Sequence, residues 1–202
     1  MAAHGGHTHT SLGLDMRKLG MWTFIGSESI FFGTLIANFF RWRSSSEGGL
    51  GPEHLDINLT GAGAFVLLMS SLTMVLALAG IKSGRLDRYR LWIAATAALG
   101  IAFTCIQIYE FAHFGLHDLG MSSSLFGGAF FALTGFHGLH VVIGVIWLIF
   151  LLVFKVGKDI EPGHVPADNH SVISVEICGL YWHFVDLVWV FIFTLIYLLP
   201  AV

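Results

Sequence analysis

The residues of this sequence most able to do chemistry are ionisable side chains that stand in strongly apolar stretches. They are one single acidic residue and three pairs spaced three residues apart: Glu28, Glu110 with His113, His137 with His140, and His183 with Asp186. Residues at this spacing share one face of a helix, so each pair presents two polar groups together. Such groups bind a metal or haem, carry protons, or join helices by hydrogen bonds.

The elements that must position these side chains are membrane-spanning helices. Of the 202 residues, 55% are hydrophobic and only 11% are charged, whereas a soluble domain carries about 25% charged residues. A helix of about 20 apolar residues crosses a bilayer. Five stretches qualify, at roughly 19–40, 59–80, 91–114, 126–154 and 174–199. The sequence therefore predicts an all-α integral membrane bundle of five transmembrane helices, with residues 19–202 as one domain after a polar, His-rich tail at 1–18.

The basic residues predict how the bundle is oriented. Eight lie on one side of the predicted spans, namely Arg17, Lys18, Lys82, Arg85, Arg88, Arg90, Lys155 and Lys158, and two on the other, Arg41 and Arg43. Because cytoplasmic loops carry the excess of Lys and Arg, we expect a cytoplasmic N-terminus and a C-terminus outside. The net charge of −3 gives no general basic surface and excludes nucleic acid as a partner.

Three interpretations compete for the paired polar residues. A metal or haem site is one, because Glu110 and His113 form the Glu-x-x-His unit of di-iron bundles, but the sequence has no second such unit. A transporter is another, but inverted repeats and broken half-helices are not visible. The third is a network of hydrogen bonds that holds helices together, formed by all six paired residues.

Glu28 fits the structural interpretation poorly. It lies near the middle of the first span, where only Ser27 and Ser29 are close to it in sequence. A carboxylate at the bilayer centre costs at least about 2.5 kcal/mol, so such residues face a cavity, the bundle interior or a partner. We therefore expect Glu28 to face another subunit or a water molecule that carries a proton.

Four motifs in order resemble one family over nearly the whole chain. The first span reads WTFIGSESIFF around Glu28, and the third reads QIYEF at 107–111. The fourth reads TGFHGLHVVIG at 134–144, and the fifth reads YWHFVDLVW at 181–189 after Glu176. On these motifs the chain resembles subunit III of the haem–copper respiratory oxidases, in its short five-helix bacterial form.

The resemblance implies a non-catalytic accessory subunit in the bacterial inner membrane, within a proton-pumping complex that reduces oxygen to water. In that family haem and copper are held by partner subunits and none by subunit III, which packs mainly on subunit I and supports its stability and proton supply. It also implies contact with subunit II, with a fourth subunit and with phospholipid, and it allows a larger supercomplex. Classical members have seven helices with a lipid-filled cleft, and this chain resembles only the last five.

The resemblance also assigns residues, none of them catalytic or metal-binding. Glu28 looks equivalent to the family's buried, carbodiimide-reactive glutamate near subunit I. Glu176, Tyr181 and Trp182 are candidates for contact with lipid headgroups at the interface. Tyr181 and Trp182, with His183 and Asp186, also match the signature of the final helix, which assigns them to the network between helices.

Two kinds of alternative remain open from the sequence. Within related complexes, the chain could serve a quinol oxidase or a nitric oxide reductase, because the electron donor binds on other subunits. From a different class, a stand-alone membrane haem or metal redox protein would use the same histidines as ligands. That alternative predicts colour in the isolated chain.

Overall fold

Five long helices make up the described part of the chain. The computed structural model describes residues 15–43, 57–116, 125–155 and 169–198, without the side chains of residues 43, 113–116 and 155. The helices are α1 (Met16–Arg43), α2 (Ile57–Lys82), α3 (Leu86–Leu116), α4 (Leu125–Phe150) and α5 (His170–Phe193). Single π-helical turns extend α4 over Leu151–Lys155 and α5 over Thr194–Leu198. All five are long and apolar enough to cross a membrane, which confirms the predicted fold class.

Helices α1 and α3 begin a few residues before the predicted apolar runs because charged residues also form their first turns. Helix α1 begins at Met16, and the Asp15 carboxylate caps it by accepting from the Arg17 backbone N–H at 2.8 Å. The predicted tail therefore ends in a helical turn, and residues 1–14 lie outside the described ranges. Helix α3 begins at Leu86 directly after a tight turn. Gly84 makes that turn with a φ of 68°, which favours glycine.

Helix α5 forms the centre of the bundle. It packs against α1, α2 and α4, while α3 packs against α2 and α4. In its most apolar window 56% of the residues are buried, compared with 6% in α1. Because the helices alternate in direction, Lys18, Lys82 and the start of α5 meet at one end of the bundle, which we call the basic end. Helix α1 is the least covered element and presents most of its surface outward.

A single tryptophan of α5 packs against three other helices. Trp182 is fully buried, and its indole N–H donates to the Ser70 hydroxyl of α2 at 2.9 Å. Its ring fills the space beside two glycines, Gly100 of α3 and Gly144 of α4. A Cβ atom would lie 2.6 Å from the ring at Gly100 and 2.8 Å from it at Gly144. The small residues of α3 and α4 therefore serve close packing around this side chain.

A candidate site of intramembrane polar groups

Glu28 pairs with His140 near the middle of the membrane-spanning segments. Glu28 is the thirteenth residue of the 27-residue span Met16–Trp42. Its Oε2 lies 3.4 Å from Nε2 of His140 in α4, and the two side chains are 20% and 12% exposed. Glu28 therefore has a partner within the chain, while the expected contact with another subunit or a water molecule stays a prediction. The sequence does not indicate this contact because the two residues are more than a hundred positions apart.

The hydrogen bond at Nδ1 of His140 indicates the state of Nε2, the ring nitrogen that faces Glu28. Nδ1 of His140 lies 2.7 Å from the Phe136 carbonyl oxygen. A carbonyl only accepts, so Nδ1 carries a hydrogen, and Nε2 of the neutral ring is an unprotonated acceptor. An ionised carboxylate beside that lone pair would be repelled. A proton between Glu28 and His140, on Nε2 or on the carboxyl group, would remove that repulsion.

Tyr181 supports this pair from the central helix. Its hydroxyl donates to the His140 backbone carbonyl at 2.9 Å, and its ring stacks on the imidazole with centroids 6.5 Å apart. Tyr181 is only 3% exposed and Trp182 is fully buried. The prediction that these two residues lie at the lipid interface is therefore wrong, because both side chains lie inside the bundle against other helices. Their aromatic rings fill the interior because they lie on faces of α5 that pack against other helices.

A second polar group joins α2 to α5. The Ser71 hydroxyl lies 2.6 Å from Nδ1 of His183, and it also interacts with the Asp186 carboxylate. Asp186 is buried, and its Oδ1 has no hydrogen-bond partner in the described ranges. The predicted closeness of His183 and Asp186 is thus present, and the hydroxyl between them is the residue that the sequence pattern did not indicate.

A third polar group surrounds Glu110, at the end of the bundle away from the basic end. Glu110 is buried and accepts hydrogen bonds from the Thr60 hydroxyl at 2.7 Å and from the Tyr197 hydroxyl at 3.1 Å. One turn earlier, the Gln107 amide donates to the Thr134 carbonyl at 2.8 Å. The carboxylate therefore links α2, α3 and the end of α5. The side chain of His113 lies outside the described residues.

His137 does not join any of these groups. It is fully buried, and within the described ranges neither ring nitrogen has a hydrogen-bond partner. Its ring stacks on Trp189 with centroids 4.9 Å apart and meets the edge of Phe103 at 5.9 Å. The expectation of a single network that includes His137 is therefore wrong. Three residues advance a helix by about 300°, so the side chains of His137 and His140 diverge by about 60° and reach different neighbours.

This geometry predicts that His137 tolerates an apolar replacement. In His137→Leu the loss of aromatic stacking is offset by removal of two unpaired buried nitrogens, so we expect stability to change by about 1 kcal/mol or less. The check is the unfolding midpoint of the purified chain against wild type. A loss of several kcal/mol would mean that the ring nitrogens do bond to a group that is essential to the fold.

Glu176 lies at the basic end, as its position in the sequence suggested. Its carboxylate oxygens lie 2.9 Å from Nζ of Lys18 and 3.9 Å from Nζ of Lys82. It thereby joins the start of α5 to the start of α1 and the end of α2. In the described ranges, no group of three or more His, Cys, Asp and Glu residues is placed to hold a metal ion.

Comparison with known proteins decides the family. Residues 2–200 match the family described as cytochrome c oxidase subunit III. The chain belongs to this family. The cytochrome c oxidase subunit 3 of Alkalihalophilus pseudofirmus is 38% identical over 183 residues, which cover 90% of this chain and 85% of the relative. That of Synechocystis is 36% identical over 199 residues, covering 98% of this chain and 80% of the relative.

A relative with a different electron donor is equally similar. The quinol oxidase subunit 3 of Bacillus subtilis is 37% identical over 182 residues, covering 90% of this chain and 86% of the relative. Members of the subunit III family are accessory subunits of haem–copper oxidases and generally hold no cofactor of their own. The predicted accessory role is therefore confirmed, and other oxidase subunits are the partners of the chain.

Proposed function

We propose that this subunit III packs beside subunit I in the bacterial inner membrane and supports its stability and its supply of protons during turnover. The observation that carries the proposal is the contact between Glu28 and His140, which lies near the middle of the spans and remains partly exposed. An ionisable pair at that depth is costly against hydrocarbon. It therefore favours a surface that faces a partner subunit or water.

The outer surface of α1 supports a lipid-binding role beside that pair. Trp22 is 58% exposed and Ile30 is 72% exposed. Exposing apolar side chains of this size to water has an unfavourable free energy, so acyl chains or a partner must cover them. We propose that phospholipid fills part of this surface, and that partner helices supply the wall formed in longer relatives by two additional helices.

The proposed orientation follows from the basic end. Lys18 and Lys82 meet there around Glu176. Arg85 directly precedes the neighbouring helix α3, and Arg88 lies in its first turn. The excess of Lys and Arg on cytoplasmic loops supports a basic end in the cytoplasm. A periplasm-dependent reporter enzyme fused after Val202 should then be active, and an inactive reporter on a stable fusion would reverse the orientation.

Glu28→Gln tests the proton-holding role directly. Glutamine can still donate an amide hydrogen to Nε2 of His140, so we expect normal assembly. It cannot carry an exchangeable acid proton, and carbodiimides react with protonated carboxyl groups. We therefore expect labelling of the chain to be lost and the oxidase to lose activity earlier in sustained turnover than wild type does.

Two references make that result interpretable. Oxidase purified without this chain sets the lifetime expected when its whole contribution is removed. Glu176→Gln, which changes a carboxylate at the basic end, should keep the labelling. If Glu28→Gln is labelled as strongly as wild type, Glu28 is not the reactive carboxyl. If its turnover lifetime matches wild type while labelling is lost, the pair does not serve proton supply.

We propose cytochrome c as the electron donor of the complex. Quinol is the alternative, because relatives of both kinds are equally similar. The two donors require different partners. A copper-binding subunit II with a CxxxCxxxH motif, encoded beside this chain and purified with it, would support cytochrome c. A subunit II without that motif would assign the chain to a quinol oxidase.

A further inference from the structure

The central helix turns one face out of the bundle, and a histidine lies in the middle of it. We call this surface the His183 face, formed by Leu180, His183, Leu187, Val190 and Phe191. Leu187 is 56% exposed and Phe191 is 53% exposed, while His183 and Leu180 are partly exposed. These residues recur every three or four positions, which places them on one side of the helix. Helix α5 is otherwise the most buried of the five.

His183 has an unused hydrogen-bonding group on this face. Its Nδ1 is engaged by the Ser71 hydroxyl at 2.6 Å, and within the part of the chain that the structure describes Nε2 has no hydrogen-bond partner. His183 is the fourteenth residue of the 29-residue span His170–Leu198, so it lies near the middle of that span. Acyl chains at that depth offer neither a donor nor an acceptor.

The residues that surround His183 on this face are apolar, namely Leu187, Val190 and Phe191. They argue against water as the medium that covers the face. A water cavity would leave these three large side chains exposed to solvent at an unfavourable free energy. A lipid tail would cover them but would leave Nε2 unpaired. A transmembrane helix satisfies both requirements when it packs apolar side chains on the leucines and presents one hydrogen-bonding side chain to the imidazole.

We infer that the His183 face is the docking surface for a transmembrane helix of another oxidase subunit, and that this helix hydrogen-bonds Nε2 of His183 through a polar side chain at the membrane midplane. The inference rests on the proposed packing of the chain within the oxidase and adds which face makes that contact. It assigns Ser71 a positioning role, because its bond to Nδ1 fixes the ring with Nε2 directed away from α2.

Crosslinking in native membranes tests the docking. A photoreactive amino acid at Leu187 of the tagged chain should give a covalent adduct with another oxidase subunit. The matched control is Ile101 of α3, which lies at similar depth, is 46% exposed and has no His, Asp, Glu, Lys or Arg within two helical turns. A photoreactive group there should give lipid adducts alone. Lipid adducts alone at position 187, with the tagged chain still recovered in the oxidase, would overturn the docking inference and leave the proposed function intact.

Two conservative variants separate docking from an internal role of the histidine. The amide of glutamine reaches the position of Nε2, whereas that of asparagine reaches only the position of Nδ1. We expect His183→Leu and His183→Asn to lower recovery of the chain with the oxidase about three- to tenfold, the range for one intramembrane hydrogen bond, and His183→Gln to restore it. Rescue by asparagine but not glutamine would show that His183 serves only Ser71. A wild-type chain that does not copurify with oxidase subunits at all would overturn the proposed function as well.

Discussion

We expect Gly100→Val to destabilise the folded chain by about 3 kcal/mol or more, because overpacking of a close-packed interior is costly. A Cβ at Gly100 would lie 2.6 Å from the Trp182 ring and 2.8 Å from Val145 Cγ2. The ring cannot retreat, since its N–H is bonded to Ser70 and Gly144 closes the opposite side. The measurement is the midpoint of denaturant unfolding of the chain in detergent micelles.

The control for this prediction is another glycine in a membrane helix. Gly26 of α1 is exposed, and a Cβ atom added there would meet no neighbouring side chain within 4 Å. Gly26→Val should therefore leave the midpoint close to that of wild type. Equal destabilisation by both substitutions would mean that the effect does not depend on the Trp182 contact and that this contact is not a determinant of the fold.

The second large effect is expected at Glu110. Glu110→Leu leaves the Thr60 and Tyr197 hydroxyls without the carboxylate that accepts from both, at 2.7 and 3.1 Å. A buried polar group that loses its partner costs about 1–3 kcal/mol. We therefore expect a loss in that range or above it, measured by the same unfolding midpoint, and a clearly smaller loss for Glu110→Gln, which retains an acceptor oxygen.

A double-mutant cycle shows whether the carboxylate acts through Tyr197. Tyr197→Phe removes one of its donors, so the losses from Glu110→Leu and Tyr197→Phe should sum to more than the loss in the double variant. Strict additivity would indicate that the two groups do not interact in the folded chain. Glu110→Leu with wild-type stability would contradict the assignment of this cluster as a link between α2, α3 and α5.

The sequence was sufficient for the five helices because a continuous run of apolar residues is a strong signal for a membrane span. It predicted the ends less well, as at α3. Asp87, Arg88 and Arg90 form its first turns, although their charges exclude them from an apolar run. The turn before it is made at Gly84, which has a φ of 68°.

The sequence indicates which polar residues stand at membrane depth, but not which residues they contact. Hydropathy and spacing single out Glu28 and Glu110, because ionisable groups are rare in membrane spans. The partners of Glu110 are the hydroxyls of Thr60 and Tyr197, and hydroxyl residues are common in membrane helices, so their presence carries little signal. Which helix faces which depends on packing, and the fit of Trp182 against Gly100 becomes visible only in three dimensions.

The most direct test of the central claim is a reduced-minus-oxidised spectrum taken before and after the chain is separated from its complex. The tagged chain is purified gently from native membranes, oxygen uptake is recorded, and the chain is then stripped to a single subunit. We predict that haem bands and oxygen uptake accompany the complex and that the isolated chain is colourless, as expected for an accessory subunit III. Haem or metal retained by the isolated chain would contradict that claim and would make His137, His140 and His183 candidate ligands.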